Sequence, residues 1–197
     1  MPVIDIYNTD NKYSVIYADA PWKYKNSLDN NPKMGGITYA VMALEDICAL
    51  PVAKLADKDC VLFMWATMPK LQEALTVIKA WGFEYKTCAF CWVKQNPNGE
   101  GIYSGLGRWV NGNAELCLLA TKGHPKRQAK NIKQILFAPR GRHSAKPLET
   151  RKRIEKLVGG AKIELFAREQ VDGWDCWGNE VCKYKQESVT TLIAKSE

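Results

Sequence analysis

Residues 13–22 read Tyr-Ser-Val-Ile-Tyr-Ala-Asp-Ala-Pro-Trp, an apolar run that ends in a carboxylate, a proline and a large flat aromatic side chain. A continuous apolar run predicts a strand that is covered on both faces of a sheet. Binding sites in α/β folds are built where strands end. We therefore expect Asp19, Ala20, Pro21 and Trp22 to belong to a site.

Apolar runs recur along the chain, and amphipathic segments lie between some of them. The predicted strands are 14–18, 60–66, 87–93, 115–121, 134–138 and 162–166. The predicted helices are 43–56, broken or restarted at Pro51, then 69–81 and 147–158. Alternation of strands and helices predicts an α/β fold with a mostly parallel sheet.

Length, composition and charge bound the class of protein. The 197 residues, 46% of them hydrophobic, suit one domain with its own core. The net charge of +7 favours a polyanionic partner, although a basic surface without a partner gives the same charge. We expect a cytoplasmic protein, because the start resembles no signal peptide and no stretch approaches the ~18 apolar residues of a membrane span.

Seven cysteines, an odd number, lie mostly in strand-like runs. This pattern predicts reduced, buried thiols. Cys88 and Cys91 have the spacing of zinc and redox pairs. Residues three apart on a strand point to opposite faces, so we interpret the pair as structural and predict no metal site.

Two glycine-rich segments, 23–38 and 95–113, are longer than ordinary connections. Long loops in a compact domain are functional or disordered. We interpret the first, which follows Trp22 directly, as a lid. The polar segment 183–197 is predicted to be a tail or a peripheral helix.

The end of the first strand suits chemistry on a purine amine. Such an amine is a poor nucleophile because its lone pair is delocalised into the ring, and an enzyme that alkylates it must accept its N–H hydrogens. Asp19 offers a carboxylate, the Ala20 carbonyl offers a second acceptor and Trp22 offers a stacking face. Preorganised acceptors stabilise the transition state without a strong base.

Four blocks, in order, resemble the N6-adenine methyltransferases related to the eukaryotic messenger-RNA adenosine methyltransferase, in their short bacterial and phage form. Asp19-Ala20-Pro21-Trp22 resembles their Asp-Pro-Pro-Trp signature, with Ala20 in place of the usual proline. The backbone carbonyl survives that change, whereas some rigidity is lost. The other blocks are 109–123, the His-Ser-x-Lys-Pro loop at 142–147, and a C-terminal block at 163–168 and 173–180.

The resemblance implies a single-domain, Rossmann-like, S-adenosylmethionine-dependent methyltransferase over residues 1–182. It also implies a permuted order, with the catalytic block first and the cofactor block last. The implied cofactor-binding residues are Asp5 and Ile6 at the adenine, Asp19 near the sulfonium, Ser144 and Lys146 at the methionine carboxylate, and Arg168, Asn179 and Glu180 at the ribose or carboxylate.

The resemblance also suggests residues that face the substrate. An adenine inside a duplex must be flipped out, or the enzyme must take a single strand. His143 is open as a substrate contact, an orienting residue or a structural one, and the histidine that often precedes Tyr39 in bacterial relatives is missing. The substrate candidates are Lys23, Tyr24, Tyr39, Arg108, Trp109, Asn113, Glu115, Arg140, Arg142 and His143.

Basic residues at 122–133, with Arg108, Arg140 and Arg142, are predicted to contact phosphates. For 122–133, a merely solvated loop is an equal alternative. We expect methylation of adenine N6 in DNA by a monomer or homodimer, with a partner subunit as a further option. The alternatives are the same reaction on RNA, a non-catalytic nucleic-acid-binding subunit, and methylation of a free base, a small molecule or a protein amine.

Overall fold

A computed structural model describes residues 3–24, 40–105, 107, 109–141, 145–179 and 181. The strands are β1 (Tyr13–Ala18), β2 (Ala56–Ala66), β3 (Glu84–Gln95), β4 (Ala114–Lys122), β5 (Ile135–Pro139), β6 (Lys162–Leu165) and β7 (Asp175–Trp177). The helices are α1 (Leu44–Cys48), α2 (Val52–Leu55), α3 (Leu71–Ala80) and α4 (Leu148–Leu157), with a 3₁₀ turn at Met68–Lys70.

The seven strands form one sheet in the order β5-β3-β4-β2-β1-β6-β7. Only β4 runs antiparallel to both of its neighbours, while the other four pairings are parallel. The predicted α/β fold with a mostly parallel sheet is confirmed. The carboxyl ends of six strands therefore meet at one edge of the sheet, together with the start of β4.

Both faces of the sheet are covered, which explains the unbroken apolar strands. Ile16 and Ala18 of β1 pack on the side of α1, α2 and α3. Val15 and Tyr17 alternate to the other side, where Ile154 of α4 covers them. Burying each large apolar side chain stabilises the fold by about 1.5–3 kcal/mol, so β1 is central to both layers.

All six predicted strands are present, and the predicted helices are present with small changes of boundary. The first helical segment is two short helices interrupted at Pro51, because a proline cannot continue the hydrogen-bond ladder. β7 escaped prediction, since a three-residue strand has no readable period. The predicted tail at 183–197 and most of the predicted lid lie outside the described residues.

Of the six cysteines within the described residues, Cys60, Cys117 and Cys176 are buried as predicted, whereas Cys48, Cys88 and Cys91 are only partly buried. The argument that separated Cys88 from Cys91 is wrong. The register shifts between Cys88 and Phe90, so that Cys88 pairs with Leu118 and Cys91 with Leu116, two positions that share one face. Within the described ranges no group of three or more His, Cys, Asp or Glu side chains is arranged to hold a metal ion.

Across the described part of the chain, no helix is both long and apolar enough to cross a membrane.

Candidate active site

The topology creates a crevice between β1 and β6. These two parallel strands are neighbours, yet β1 leads on to β2 on one side and β6 leads on to β7 on the other. Such a point of divergence is where α/β sheets bind ligands, outside the carboxyl ends of the strands. Asp19 follows β1 at this crevice, and Arg168 follows β6.

The turn after β1 is tight and held from both sides. The Trp22 backbone N–H donates to the Ala20 carbonyl at 2.9 Å, and the Met42 N–H donates to the Pro21 carbonyl at 2.9 Å. A carbonyl oxygen has two lone pairs, so the Ala20 carbonyl keeps one for a ligand. Ala20 as a whole is 4% exposed, and its carbonyl comes directly after Asp19 in the chain.

Trp22 is placed differently from an open stacking platform. It is 6% exposed and packs into the core beside α1 and α3. Its indole N–H is buried without a hydrogen-bond partner among the described residues, and a buried donor of this kind costs about 1–3 kcal/mol. The stacking role of Trp22 stays a prediction, and its indole N–H is a candidate contact for a bound ligand.

Four charged side chains form a chain of alternating sign next to this turn. Lys146 Nζ lies 2.7 Å from Asp19 Oδ2 and 3.3 Å from Glu115 Oε2. Lys94 Nζ lies 2.5 Å from the other oxygen of Glu115, Oε1. We call Asp19, Lys94, Glu115 and Lys146 the lysine cluster.

The electrostatics of the lysine cluster differ from one carboxylate to the other. Burial raises the pKa of Asp19 above its ordinary value; Lys146 opposes this shift, and the neighbouring charge of Glu115 adds to it. Burial also acts on Glu115, but Lys146 and Lys94 outweigh it and leave the pKa of Glu115 lowered. Asp19 is therefore the less stabilised anion of the two, a state suited to a hydrogen-bond acceptor that needs a ligand.

Aromatic rings line the lysine cluster from below. Lys146 Nζ lies 5.6 Å from the Trp65 ring centroid, and Lys94 Nζ lies 5.2 Å from that of Trp92. The two indoles meet edge to face, and Trp65 Nε1 donates to the Tyr17 hydroxyl at 2.6 Å. Such a floor excludes water and strengthens every charge interaction above it.

Sequence reasoning missed Lys94, Trp65 and Trp92 as members of this site. The available signal was weak: a lysine where the apolar run of β3 ends, and a tryptophan within each of two strands. Glu115 is a predicted substrate contact, and that role stays a prediction. In the structure it lies between two lysines, 21 and 31 residues away in sequence.

The β6 side of the crevice has an unusual backbone. Phe166 is the one non-glycine residue with positive φ in the described chain, at 61°, and such outliers cluster at functional sites. The Ala167 N–H donates to the Trp177 carbonyl at 2.9 Å. A Cβ on Gly178 would lie 2.2 Å from the Ala167 carbonyl oxygen, so glycine is required there.

These features fit S-adenosylmethionine by the chemistry of the donor set. Its carboxylate needs a cation, which Lys146 offers, and its sulfonium needs an anion or aromatic face, which Asp19 and Trp65 offer. Arg168 lies close enough to Asp19 to lower its pKa. The close approach of two backbones at Gly178 is typical of a loop that meets a ligand.

The remaining predicted cofactor residues are scattered around the crevice. Asp5 is exposed and accepts hydrogen bonds from Tyr7 N–H and the Asn8 amide, while Ile6 is buried in the core. The Ile4 N–H donates to the Cys176 carbonyl of β7, which places this segment beside the β6 side. The cofactor candidates Ser144 and Glu180 and the substrate candidates Tyr39, Arg108, Arg142 and His143 lie outside the described residues.

The described substrate candidates lie mainly at the carboxyl edge of the sheet. The Tyr24 hydroxyl and the Thr67 hydroxyl are 2.7 Å apart, and Lys23 beside it is exposed. The guanidinium carbon of Arg140 is 4.3 Å from the Tyr103 ring centroid. Asn113 and Trp109 precede β4 at this edge, and Asn179 is exposed after β7.

The basic segment 122–133 does not share a surface with Arg140. Because β4 is antiparallel, its end at Lys122 lies at the opposite edge, paired with the start of β2. Lys122 donates to the Ala53 carbonyl at 3.2 Å. This position favours the alternative that 122–133 is a solvated loop, whereas Arg140, of the same basic set, lies at the site.

Comparisons with known proteins show which family and which relatives this chain resembles. The MT-A70 family model matches residues 13–180. The type II methyltransferase M.MunI of Mycoplasma sp is 35% identical over 91% of this chain and 82% of its own length. An N(6)-adenosine-methyltransferase MT-A70-like protein of Drosophila melanogaster is 31% identical over 86% of this chain, and the mouse N(6)-adenine-specific methyltransferase METTL4 is 28% identical over 91%.

The chain spans only 27% of the Drosophila protein and 40% of the mouse protein, so these relatives carry long additional segments. The match to M.MunI, by contrast, extends over most of both chains. The resemblance inferred from four short blocks is thereby confirmed over nearly the whole chain. This chain belongs to the MT-A70 family.

Proposed function

We propose that this chain transfers a methyl group from S-adenosylmethionine to the N6 amine of adenine in DNA. The observation that carries the proposal is the pair of acceptors at the crevice: the Asp19 carboxylate, with a raised pKa, and the adjacent Ala20 carbonyl, with a free lone pair. Family membership and the names of the relatives support the same reaction.

The residues of the chain act by positioning and by accepting hydrogen bonds. S-adenosylmethionine supplies an electrophilic methyl group on a sulfonium when it is bound. Asp19 and the Ala20 carbonyl accept the two N–H hydrogens of the amine, which localises its lone pair on nitrogen. The positive charge that grows on nitrogen as the N–C bond forms is stabilised by the Asp19 carboxylate, and the buried indoles nearby strengthen that effect. One N–H proton then leaves the methylated nitrogen by way of Asp19.

The cofactor would be held by residues from both sides of the crevice. Lys146 would exchange one of its carboxylate partners for the methionine carboxylate, and Arg168 and Asn179 would bind from the β6 and β7 side. Ser144, Glu180, Asp5 and Ile6 complete the set by family resemblance. This assignment uses the permuted order: β1, which comes first, and β6, which comes near the end, are neighbours in the sheet, which supports that order.

DNA is favoured over RNA by the extent of the matches. M.MunI, of which this chain spans 82%, is named a type II methyltransferase, whereas the RNA methyltransferase MTA1 of Cryphonectria parasitica is spanned over 53% of its length. We place the reaction in the cytoplasm of a bacterial or phage-infected cell.

The test is methyl transfer from labelled S-adenosylmethionine to DNA and RNA oligonucleotides of matched sequence, followed by nucleoside analysis. We expect N6-methyladenine in DNA and at least tenfold less in RNA. Label in RNA alone would support the alternative function, methylation of adenine N6 in RNA. Absence of N6-methyladenine from both DNA and RNA would refute the proposed methyltransferase activity.

A further inference from the structure

A hairpin in which two facing glycines are hydrogen-bonded to each other precedes β4. Gly105 and Gly112 exchange two backbone hydrogen bonds of 3.1 Å each. A Cβ on Gly105 would lie 2.5 Å from the Gly112 carbonyl oxygen, so the two backbones approach more closely than other residues allow. We call its described residues, 103–105, 107 and 109–113, the tryptophan hairpin.

The tip of the tryptophan hairpin is apolar and open to water. Trp109 is 97% exposed and Val110 78% exposed, the highest values among the large apolar residues of the described chain. An indole that packs against nothing contributes little to folding. Large exposed aromatic side chains instead mark contacts with another molecule.

The tryptophan hairpin is anchored at the proposed catalytic edge. The Lys94 backbone N–H donates to the Asn113 carbonyl at 2.8 Å, and the Lys94 carbonyl accepts from the Tyr103 N–H at 2.8 Å. The Lys94 side chain pairs with Glu115, which shares Lys146 with Asp19. A short series of direct contacts therefore links the base of the hairpin to the acceptor carboxylate.

The cation Arg140 lies beside the base of the tryptophan hairpin. Arg140 packs its guanidinium on the Tyr103 ring and donates its backbone N–H to the Gln95 carbonyl at 3.1 Å. A hairpin with an exposed indole at its tip and a guanidinium at its base suits a nucleic acid strand, because the cation can meet phosphate and the ring can meet bases. The net charge of +7 disfavours a second copy of this chain as the occupant.

Resting on the proposed DNA methylation, we propose that Trp109 is a wedge that enters the base stack of duplex DNA when the target adenine turns out toward Asp19. An adenine within a duplex must leave the stack to reach the crevice, and the gap that it leaves favours its return. A flat apolar side chain in that gap holds the base out. The substrate is therefore duplex DNA, since a single strand offers no such gap.

The test compares Trp109→Ala with the unchanged protein on a duplex and on the target strand alone. We expect kcat/KM on the duplex to fall at least tenfold, while the single-strand value stays within twofold. Trp109→Phe keeps a flat ring and should retain most of the duplex activity. Tyr85→Ala is the matched control, because this aromatic residue is 45% exposed at the opposite end of β3, and both rates should be unchanged.

A binding measurement separates the wedge from the reaction. On a duplex with an abasic site in place of the target adenine, the unchanged protein should bind at least fivefold more tightly than on the paired duplex, and Trp109→Ala should lose this preference. Equal loss on duplex and single strand would overturn the wedge, as would an undiminished duplex rate. A preference for the abasic duplex without any methyl transfer would refute the reaction and leave the wedge standing.

Discussion

Two buried ion clusters flank the start of α4, and they are built from different cations. In the lysine cluster, one ammonium is shared at 2.7 and 3.3 Å between Asp19 and Glu115. In the second, the arginine cluster, Arg151 makes two bonds of 2.8 and 3.0 Å to Glu164 of β6, and a third of 3.0 Å to Glu169. The two cations, Lys146 and Arg151, are five positions apart in the sequence.

The two cations hold the two sides of the crevice differently: the β6 side rigidly, and the β1 side through an ion pair that can be exchanged. A guanidinium has a planar fork that fixes both carboxylate oxygens, whereas an ammonium is a point charge with rotatable donors. Arg151 therefore holds α4 rigidly against Glu164 of β6 and against Glu169, the residue that follows Arg168. Lys146 can exchange one carboxylate for another, as a cofactor carboxylate would require.

The largest expected effect is on activity, from Asp19→Ala. Loss of the acceptor carboxylate should reduce methyl transfer by at least roughly 10³-fold, somewhat more than a single preorganised hydrogen bond typically contributes. Cofactor binding should be largely kept, because Lys146 stays beside Glu115 and Trp65 still offers an aromatic face to the sulfonium. Initial rates and calorimetric binding check both statements, with the exposed Asp10→Ala as the control. An active variant would remove Asp19 from the chemistry.

In the same variant, the free energy of unfolding should depend on pH differently from that of the unchanged protein, in a direction that follows from the pKa shifts. Asp19 has a raised folded pKa, so its contribution to the free energy of unfolding is full below 3.8 and is lost as the pH rises through the raised value. Glu115 has a lowered folded pKa, so its contribution is full above 4.5 and is lost as the pH falls through the lowered value. In urea unfolding, the stability of Asp19→Ala relative to the unchanged protein should therefore increase as the pH rises above about 4.

The next effect is on stability, and it separates the two clusters directly. Arg151→Met leaves the buried Glu164 without its cation and should cost about 3–5 kcal/mol of the free energy of unfolding. Lys146→Met should cost less than half of this, because Glu115 keeps Lys94 and Asp19 is protonated more readily. Urea unfolding near neutral pH measures both.

Lys152→Met, an exposed change on the same helix, is the control and should stay within about 0.5 kcal/mol. Equal losses for Arg151→Met and Lys146→Met would erase the distinction between a fixed and an exchangeable cluster. A larger loss for Lys146→Met would reverse it.

A smaller effect is expected on the pH dependence of catalysis, from Glu115→Gln. The negative charge of Glu115 raises the pKa of Asp19, so its removal should lower that pKa and move the acidic limb of the kcat/KM profile to lower pH. The limb is read independently of the maximal rate. Glu149→Gln, an exposed change on α4, should leave it in place, and a limb that moves to higher pH would contradict the shared-lysine geometry.

How much the sequence predicts depends on whether the signal is local. The apolar run of β1 and the Asp19 turn are contiguous, so both could be read directly. The pairing of Glu115 with Lys94 and Lys146 joins three distant segments, and no local pattern encodes it. Register is equally non-local: one shift within β3 places Cys88 and Cys91 on the same face, against the simple alternation.

Local sequence patterns also do not predict in which direction a strand runs through the sheet. The apolar run of β4 was recognised, but its antiparallel orientation was not, and orientation decides which end lies at the site. Local patterns therefore do not show that Lys122 and Arg140 lie at opposite edges of the sheet. Glu115, at the start of the same strand, lies at the catalytic edge for the same reason.

The smallest expected effect concerns the turn itself, through Ala20→Pro. The arginine cluster fixes the β6 side with three hydrogen bonds, while the acceptor turn is held mainly by the backbone bonds to Ala20 and Pro21. A proline that fits restricts the unfolded chain and stabilises a protein by about 0.4–1 kcal/mol. The carbonyl at position 20 is kept, so the rate should change by less than twofold while the melting temperature rises. A large loss of activity would mean that the β1 side has to move during the reaction, and a large gain would mean that stiffness, supplied on the β6 side by Arg151, is what the Ala20 turn lacks.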